Sequence, residues 1–324
     1  MKNIFLFGEC MIELMAASQG QSSNTMQQSF AGDVFNTAVY LKRTFADVQV
    51  NLVTAVGKDQ FSLDMIQYFE KENIGTELVF KSASKIPGLY SIQLDAQGER
   101  SFTYWRENSA ARQVMQHIDD AATEQLSKGD MFFFSGISLA VIEPDARPAF
   151  WLLIDKLKAA GVQIVFDPNY RPRLWSGPEE AQAQFALALQ KSDLSLPGVD
   201  DFEQLFGMTS VAEVYTYCQP FHVNELVIKN GEQSILVVVD GVSTEFAITP
   251  VANVVDTTSA GDSFNGVYLG ARIGGYEISD AIALASKAAG FVIQHRGAIT
   301  PAQEFSEFIN AQLACVAKFK KDQL

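Results

Sequence analysis

Short runs of apolar, β-branched and aromatic residues recur along the chain at 4–7, 50–56, 131–135, 162–166, 226–228 and 235–239. Runs of that length between turn-forming residues read as strands covered on both faces. Between them, the segments 61–72, 149–160 and 179–191 repeat their apolar residues at intervals of three and four, the spacing of one helix face. This alternation predicts an α/β fold with a mostly parallel sheet and helices on both sides. The last third is mostly helical, at 262–274, 279–294 and 301–319. One stretch breaks the rhythm: between Gly88 and Arg106 two alternating segments flank Asp95-Ala96-Gln97-Gly98, the pattern of a β-hairpin. Such a hairpin must bury a face, so it is expected to project as a lid over a site or to pair with another subunit. No linker, repeat or low-complexity tract divides the chain, and a single domain over 1–324 is expected.

Composition narrows the partners. The chain is 48% hydrophobic over 324 residues, enough for a large core and incompatible with general disorder. Its 24 Lys and Arg against 38 Asp and Glu give a formal charge of −14. Nucleic acids and anionic membranes reward clustered cations, so neither is an expected partner and a small molecule is. Three distant cysteines, Cys10, Cys218 and Cys315, suit neither a disulfide framework nor a Cys-x-x-Cys metal site, which fits a reducing cytoplasm. The apolar run at 4–7 is cut by Gly8 and Glu9 and reads as a buried strand rather than a signal peptide. No apolar stretch reaches the roughly 18 residues of a membrane span.

Three segments carry chemistry. The densest is Val255-Asp256-Thr257-Thr258-Ser259-Ala260-Gly261-Asp262-Ser263-Phe264-Asn265-Gly266, small residues and glycine leading into an apolar helix. Backbone N–H groups at such a junction converge on an anion, with the helix dipole behind them. Asp262 would repel that anion unless it has a task; as a general base it would accept the proton of a hydroxyl attacking phosphorus. Equally, it is a first-turn acid stabilised by the dipole. The second segment, Phe30-Ala31-Gly32-Asp33-Val34-Phe35-Asn36, places Asp33 and Asn36 on one helical face, either to grip sugar hydroxyls together or as a cap and a surface residue. The third, Phe166-Asp167-Pro168-Asn169-Tyr170-Arg171-Pro172-Arg173, follows a strand, where α/β sheets bind ligands. Its arginines suit an anionic ligand or ordinary surface ion pairs. A P-loop and a Gly-x-Gly-x-x-Gly fingerprint are both absent, which disfavours P-loop kinases and nicotinamide dehydrogenases. His117, His222 and His295 are too scattered for a metal site or an obvious triad.

In this order and over essentially the whole length, the chain resembles the PfkB/ribokinase family of carbohydrate kinases. The signature Asp-Thr-Thr-x-Ala-Gly-Asp stands as Asp256 through Asp262, and Gly-Gly-Asp-x-x-Asn is matched from Ala31 to Asn36 with Ala31 replacing the first glycine. Matches to the ketodeoxygluconate subgroup include Gly8-Glu9-Cys10-Met11-Ile12-Glu13-Leu14, Pro87-Gly88-Leu89-Tyr90, Gly98-Glu99-Arg100, Tyr104-Trp105-Arg106, Ser135-Gly136-Ile137-Ser138-Leu139, Asn169 through Trp175, and Arg296-Gly297-Ala298-Ile299. The resemblance implies a ribokinase-like three-layer α/β/α core with a small β-sheet lid from parts of roughly 10–32 and 87–108. It implies transfer of the γ-phosphoryl of ATP to the 6-hydroxyl of 2-keto-3-deoxygluconate. Asp262 would be the base, with the backbone of Ala260, Gly261 and Asp262 as the anion hole. Gly32, Asp33, Asn36, Tyr90 and Tyr104 would meet the sugar, and Arg106 with Arg171 the acid end, since arginine forks suit carboxylates. Asn169, Lys229, Asn230, Gly231 and Ser259–Gly261 would meet the nucleotide. Mg²⁺ is implied with ATP, although the family's Asn-x-x-Glu reads Gly198-Val199-Asp200-Asp201 here, leaving its protein ligands unassigned. Asp256 would fold the loop or hold a monovalent cation, as in some relatives. An exposed lid edge invites a homodimer. The competing readings are a neutral-sugar kinase and a non-catalytic sugar-acid sensor on the same fold.

Overall fold

The first strand, β1 (Asn3–Phe7), turns Ile4 and Leu6 to one side and Phe5 and Phe7 to the other, and all four are buried. That is the signature of a central strand with a core on each face. The computed structural model describes residues 1–16, 25–94 and 100–322. After β1 the chain forms β2 (Met11–Ala16), β3 (Met26–Ala31), α1 (Asp33–Thr44), β4 (Gln49–Val56), α2 (Gln60–Lys71), β5 (Gly75–Lys81), β6 (Leu89–Leu94) and β7 (Arg100–Trp105). Its middle contributes α3 (Asp120–Leu126), β8 (Met131–Ser135), α4 (Gly136–Val141), α5 (Arg147–Ala159), β9 (Gln163–Asp167), α6 (Pro178–Lys191), β10 (Leu194–Ser195), α7 (Val199–Phe206) and α8 (Val211–Cys218). The remainder supplies β11 (Glu225–Asn230), β12 (Ser234–Val239), β13 (Val242–Ala247), α9 (Ala260–Ile273), α10 (Ile278–Val292) and α11 (Ala302–Asp322).

Nine strands make one sheet in the order β13-β12-β11-β10-β9-β8-β1-β4-β5, parallel except that β12 runs antiparallel to its neighbours β11 and β13. Helices α1, α2, α9, α10 and α11 pack on one face and α3 to α8 on the other, giving the three expected layers. Period-2 burial explains the sorting: Met131 and Phe133 of β8 enter the first core, Phe132 and Phe134 the second. Each fully buried large side chain contributes about 1.5–3 kcal/mol.

A second sheet, β3-β2-β6-β7, is the lid. Its hairpin forms as predicted, with Leu89 opposite Trp105 and Tyr90 opposite Tyr104, whereas the expected turn at 95–98 lies outside the described residues. β2 pairs antiparallel with β3 and parallel with β6, and Met11, Ala31, Tyr90, Ile92 and Ala298 form a small core of its own. Among the described residues no helix is long and apolar enough to cross a membrane. Cys10 and Cys218 are buried thiols and Cys315 is an exposed one.

Candidate active site

The carboxyl ends of β1, β8, β9 and β11 lie at one edge of the sheet because these strands run parallel. Onto that edge come two helix starts from opposite ends of the sequence, α1 and α9. They can approach because Gly266 has no side chain: a Cβ there would lie 2.4 Å from the Thr37 carbonyl and 2.9 Å from the Leu41 nitrogen. The contact brings the Asn36 amide Nδ2 to 2.9 Å from Asp262 Oδ2, a hydrogen bond it donates to the carboxylate across 226 positions of sequence. The other end of Asn36 accepts the Gly32 N–H at 3.3 Å.

Asp262 is half-buried at the third position of α9. Burial, reinforced by the negative charge of Asp33, pushes its carboxyl up to about 7, against the Asn36 bond that favours the charged form. The residue before the helix, Ser259, holds φ 64°, a left-handed conformation that costs a non-glycine residue about 1–3 kcal/mol. Its hydroxyl is buried and, like the Asn36 amide, favours the charged form of Asp262. The Ala260 N–H donates to the Thr257 carbonyl at 3.2 Å, so of the three expected anion-hole amides this one is engaged inside the loop. The N–H groups of Gly261 and Asp262 have no backbone acceptor among the described residues. Asp256 accepts from Thr258 N–H at 3.0 Å and Gly297 N–H at 2.7 Å, which ties the signature loop to the 296–299 segment.

Asp33 is not the cap of α1. The cap position is Gly32, with no side-chain bond. Asp33 Oδ2 instead accepts from the Ser135 hydroxyl at 2.5 Å and the Asn169 amide at 3.1 Å, while burial raises its carboxyl above the usual range. Gly32 cannot carry a side chain, because its Cβ would meet the Glu9 carbonyl at 2.3 Å. Below these residues lies a buried polar triangle: Lys229 Nζ donates to Asp167 Oδ1 at 3.3 Å and Asn265 Oδ1 at 3.2 Å, and the Asn265 amide donates to Asp167 Oδ2 at 2.7 Å. Lys229, expected at the nucleotide, is thus engaged with Asp167; Asn230 and Gly231 form the tip between β11 and β12, with Gly231 at φ 53°.

Asp201, in the first turn of α7, accepts the Tyr170 N–H at 2.8 Å through Oδ1 and stands 3.8 Å from Arg171 Nη1. Burial and the nearby Asp167 charge push it up to about 6. Arg171 itself is 54% exposed in its side chain. From the lid, Tyr90 is buried and donates its hydroxyl to Glu13, which also accepts from Ser29; its ring stacks on Tyr104 at 5.6 Å, and Tyr104 is exposed. Arg106, expected to reach an acid, is buried in an ion pair with Glu9. The structure therefore links Gly32, Asn36 and Asp262 in one set of hydrogen bonds, Asp33, Ser135 and Asn169 in a second, and Lys229, Asp167 and Asn265 in a third. Sequence reasoning assigned no part to Glu9, Ser135, Asp167 or Asn265; each stood inside a quoted motif, and that was its only signal. Among the described residues no cluster of three His, Cys, Asp or Glu side chains is arranged to hold a metal.

This is the architecture of a sugar kinase, and the chain matches the pfkB family carbohydrate kinase profile over residues 1–304; it belongs to that family. It is 39% identical to the 2-dehydro-3-deoxygluconokinase of Dickeya dadantii over 306 residues, spanning 93% of this chain and 97% of that protein. The Escherichia coli K12 protein of the same name is 38% identical over 306 residues, with the same coverage. An Escherichia coli structure assigned as a ribokinase II, in complex with ATP and Mg²⁺, superposes with a TM-score of 0.81 at 22% identity and covers 96% of this chain and all of that one, a likeness of fold.

Proposed function

We propose that this kinase transfers the γ-phosphoryl of ATP to the 6-hydroxyl of 2-keto-3-deoxygluconate, giving the 6-phosphate and ADP. The observation that carries the reading is the Asn36–Asp262 hydrogen bond, which holds a carboxylate beside two unengaged amides at the start of α9. Asp262 takes the hydroxyl proton as the oxygen attacks phosphorus. The N–H groups of Gly261 and Asp262, with the α9 dipole, receive the charge on the transferred phosphoryl group. Asp33 accepts from a sugar hydroxyl, and Arg171 meets the sugar carboxylate. Near-full-length relatives named 2-dehydro-3-deoxygluconokinase support this substrate.

ATP is used as its magnesium complex, and Mg²⁺ supplies charge neutralisation on the phosphates. The residues fit it: Asp201 Oδ2 accepts no hydrogen bond among the described residues, so Asp201 would face the ion directly or through water. A neutral-sugar kinase is the second reading, favoured by one observation: Glu9 already balances the Arg106 charge. The deciding experiment is ATP-dependent phosphorylation of 2-keto-3-deoxygluconate, 2-keto-3-deoxygalactonate, gluconate, fructose and ribose by wild type and Asp262→Asn. Preference for the first, lost in the variant while binding persists, supports the proposal; preference for fructose or ribose overturns the substrate. The lid also supports a dimer. Its outer strand β7 has one unpaired edge and exposes Phe102, Tyr104 and Trp105, the last 59% exposed. Sedimentation of wild type at twice the chain mass, and of Trp105→Arg at the chain mass, is the expected result.

A further inference from the structure

Glu9 lies in the link between β1 and β2, where the core strand hands the chain to the lid. It is only 2% exposed, and a carboxylate buried that deeply is costly unless paired. Its partner is Arg106, just past β7 at the far edge of the lid: Nε donates to Glu9 Oε2 at 2.8 Å, and Nη2 stands 2.5 Å from the same oxygen. Both contacts use one side of the guanidinium fork, and Nη1 makes no hydrogen bond among the described residues. Glu9 Oε1 is buried with no hydrogen-bond partner. The pair fixes the arginine's direction through Oε2 alone. Two glycines make room for it. A Cβ on Gly88 would lie 2.8 Å from Glu9 Oε1, and a Cβ on Gly32 would lie 2.3 Å from the Glu9 carbonyl. The residue therefore touches the N-terminus of α1, where Asp33 begins, and the lid strand that carries Tyr90.

We propose that Glu9 is a positioning residue: it orients Arg106 toward the sugar substrate before that substrate arrives, and couples the lid arginine to the α1 end of the site. The proposal rests on the reading of Arg106 as a substrate contact. A guanidinium locked in advance loses less freedom on binding, so Glu9 acts on substrate affinity and not on the phosphoryl-transfer step.

Two variants test it without dependence on either one folding: Glu9→Gln, which keeps shape and removes charge, and Gly88→Ala, whose Cβ would press on Glu9 Oε1 and on the Arg106 Cβ at once, moving both partners of the pair. Each should raise KM for the sugar about tenfold, as loss of one charge-assisted bond predicts, with kcat and KM for ATP within about threefold of wild type. In an Arg106→Met background, adding Glu9→Gln should change KM by less than about twofold, because its effect passes through the arginine. An additive further loss, or equal falls in kcat and in both affinities, overturns the proposal. Kinetics are run on whichever acceptor the wild type prefers. If that acceptor is a neutral sugar, the proposed substrate fails, and the coupling still decides the role of Glu9.

Discussion

Removing the Asn36 amide tests whether Asp262 is the group that titrates in turnover. Asn36 donates to the carboxylate at 2.9 Å from a buried position, so water cannot readily replace it in Asn36→Leu. A hydrogen bond to a charged group contributes about 1.5–3 kcal/mol. At 1.36 kcal/mol per pH unit, its loss raises the carboxyl by about one to two units. In wild type, burial and Asp33 already hold that carboxyl at about 7. The sign follows from the role: a base works ionised, so kcat/KM climbs as pH rises through this value, and a variant that disfavours the ion climbs later. The alkaline displacement makes Asn36→Leu about five- to fiftyfold slower near pH 7, with most of the deficit recovered about two units higher. The assay is kcat/KM against pH with saturating MgATP, alongside thermal melts. A limb that stays where it is, or a loss uniform across pH, would refute Asp262 as the base held by Asn36.

Asp262→Asn should melt several degrees above wild type at pH 8, because a carboxyl raised from 3.8 to about 7 supports the fold only while protonated. That margin should shrink as pH falls below 7 and vanish near pH 4, read by calorimetry. Arg171→Met should lower kcat/KM for the sugar acid by about tenfold and leave neutral sugars unchanged; the low end of the charge-assisted range applies because the side chain is 54% exposed and screened. Gly266→Ala should destabilise by about 1–3 kcal/mol in urea and depress kcat, since its Cβ would force α9 off the Thr37 carbonyl and part Asn36 from Asp262. Titration calorimetry should find ATP binding weakened by an order of magnitude or more when EDTA replaces Mg²⁺.

The sheet was legible because its central strands are buried on both faces: runs such as Met131–Ser135 carry their own label. Edge elements were not. β5 (Gly-Thr-Glu-Leu-Val-Phe-Lys) buries only Leu78 and Val79, and β13 buries nothing, so neither shows a continuous run. Helix α7 hides behind Gly198 and two aspartates, whose place in a first turn depends on the dipole rather than on periodicity. Within the site, Asp33, Asn36 and Asp262 stood out as polar residues at glycine-led helix starts, but their connection did not. Sequence pointed Asn36 toward the sugar; packing of α1 against α9 brings its amide onto Asp262 as well. Arg106 was visible as a cation in an acidic chain, whereas its pairing with Glu9, 97 positions away, is a property of the lid's register against the core.

The charges of the site explain why those pairings matter. Asp33, Asp167, Asp201 and Asp262 act on one another electrostatically, and the charge of one or more raises Asp33, Asp201 and Asp262 alike. Lys229 is engaged with Asp167 and Asn265, and Arg106 with Glu9, so Arg171 is the cation left largely exposed among those discussed here. A site so acidic would repel a polyphosphate if side-chain charge alone decided affinity. On the proposed reading, attraction would come from the amides and dipole of α9, which carry no net charge, and from a divalent cation that the surplus carboxylates favour. The same crowding keeps Asp262 near neutrality, where a carboxylate is a stronger base than an exposed aspartate. On the proposed reading, the acidity that would make nucleotide binding depend on a metal is also what would let Asp262 accept a proton from an alcohol.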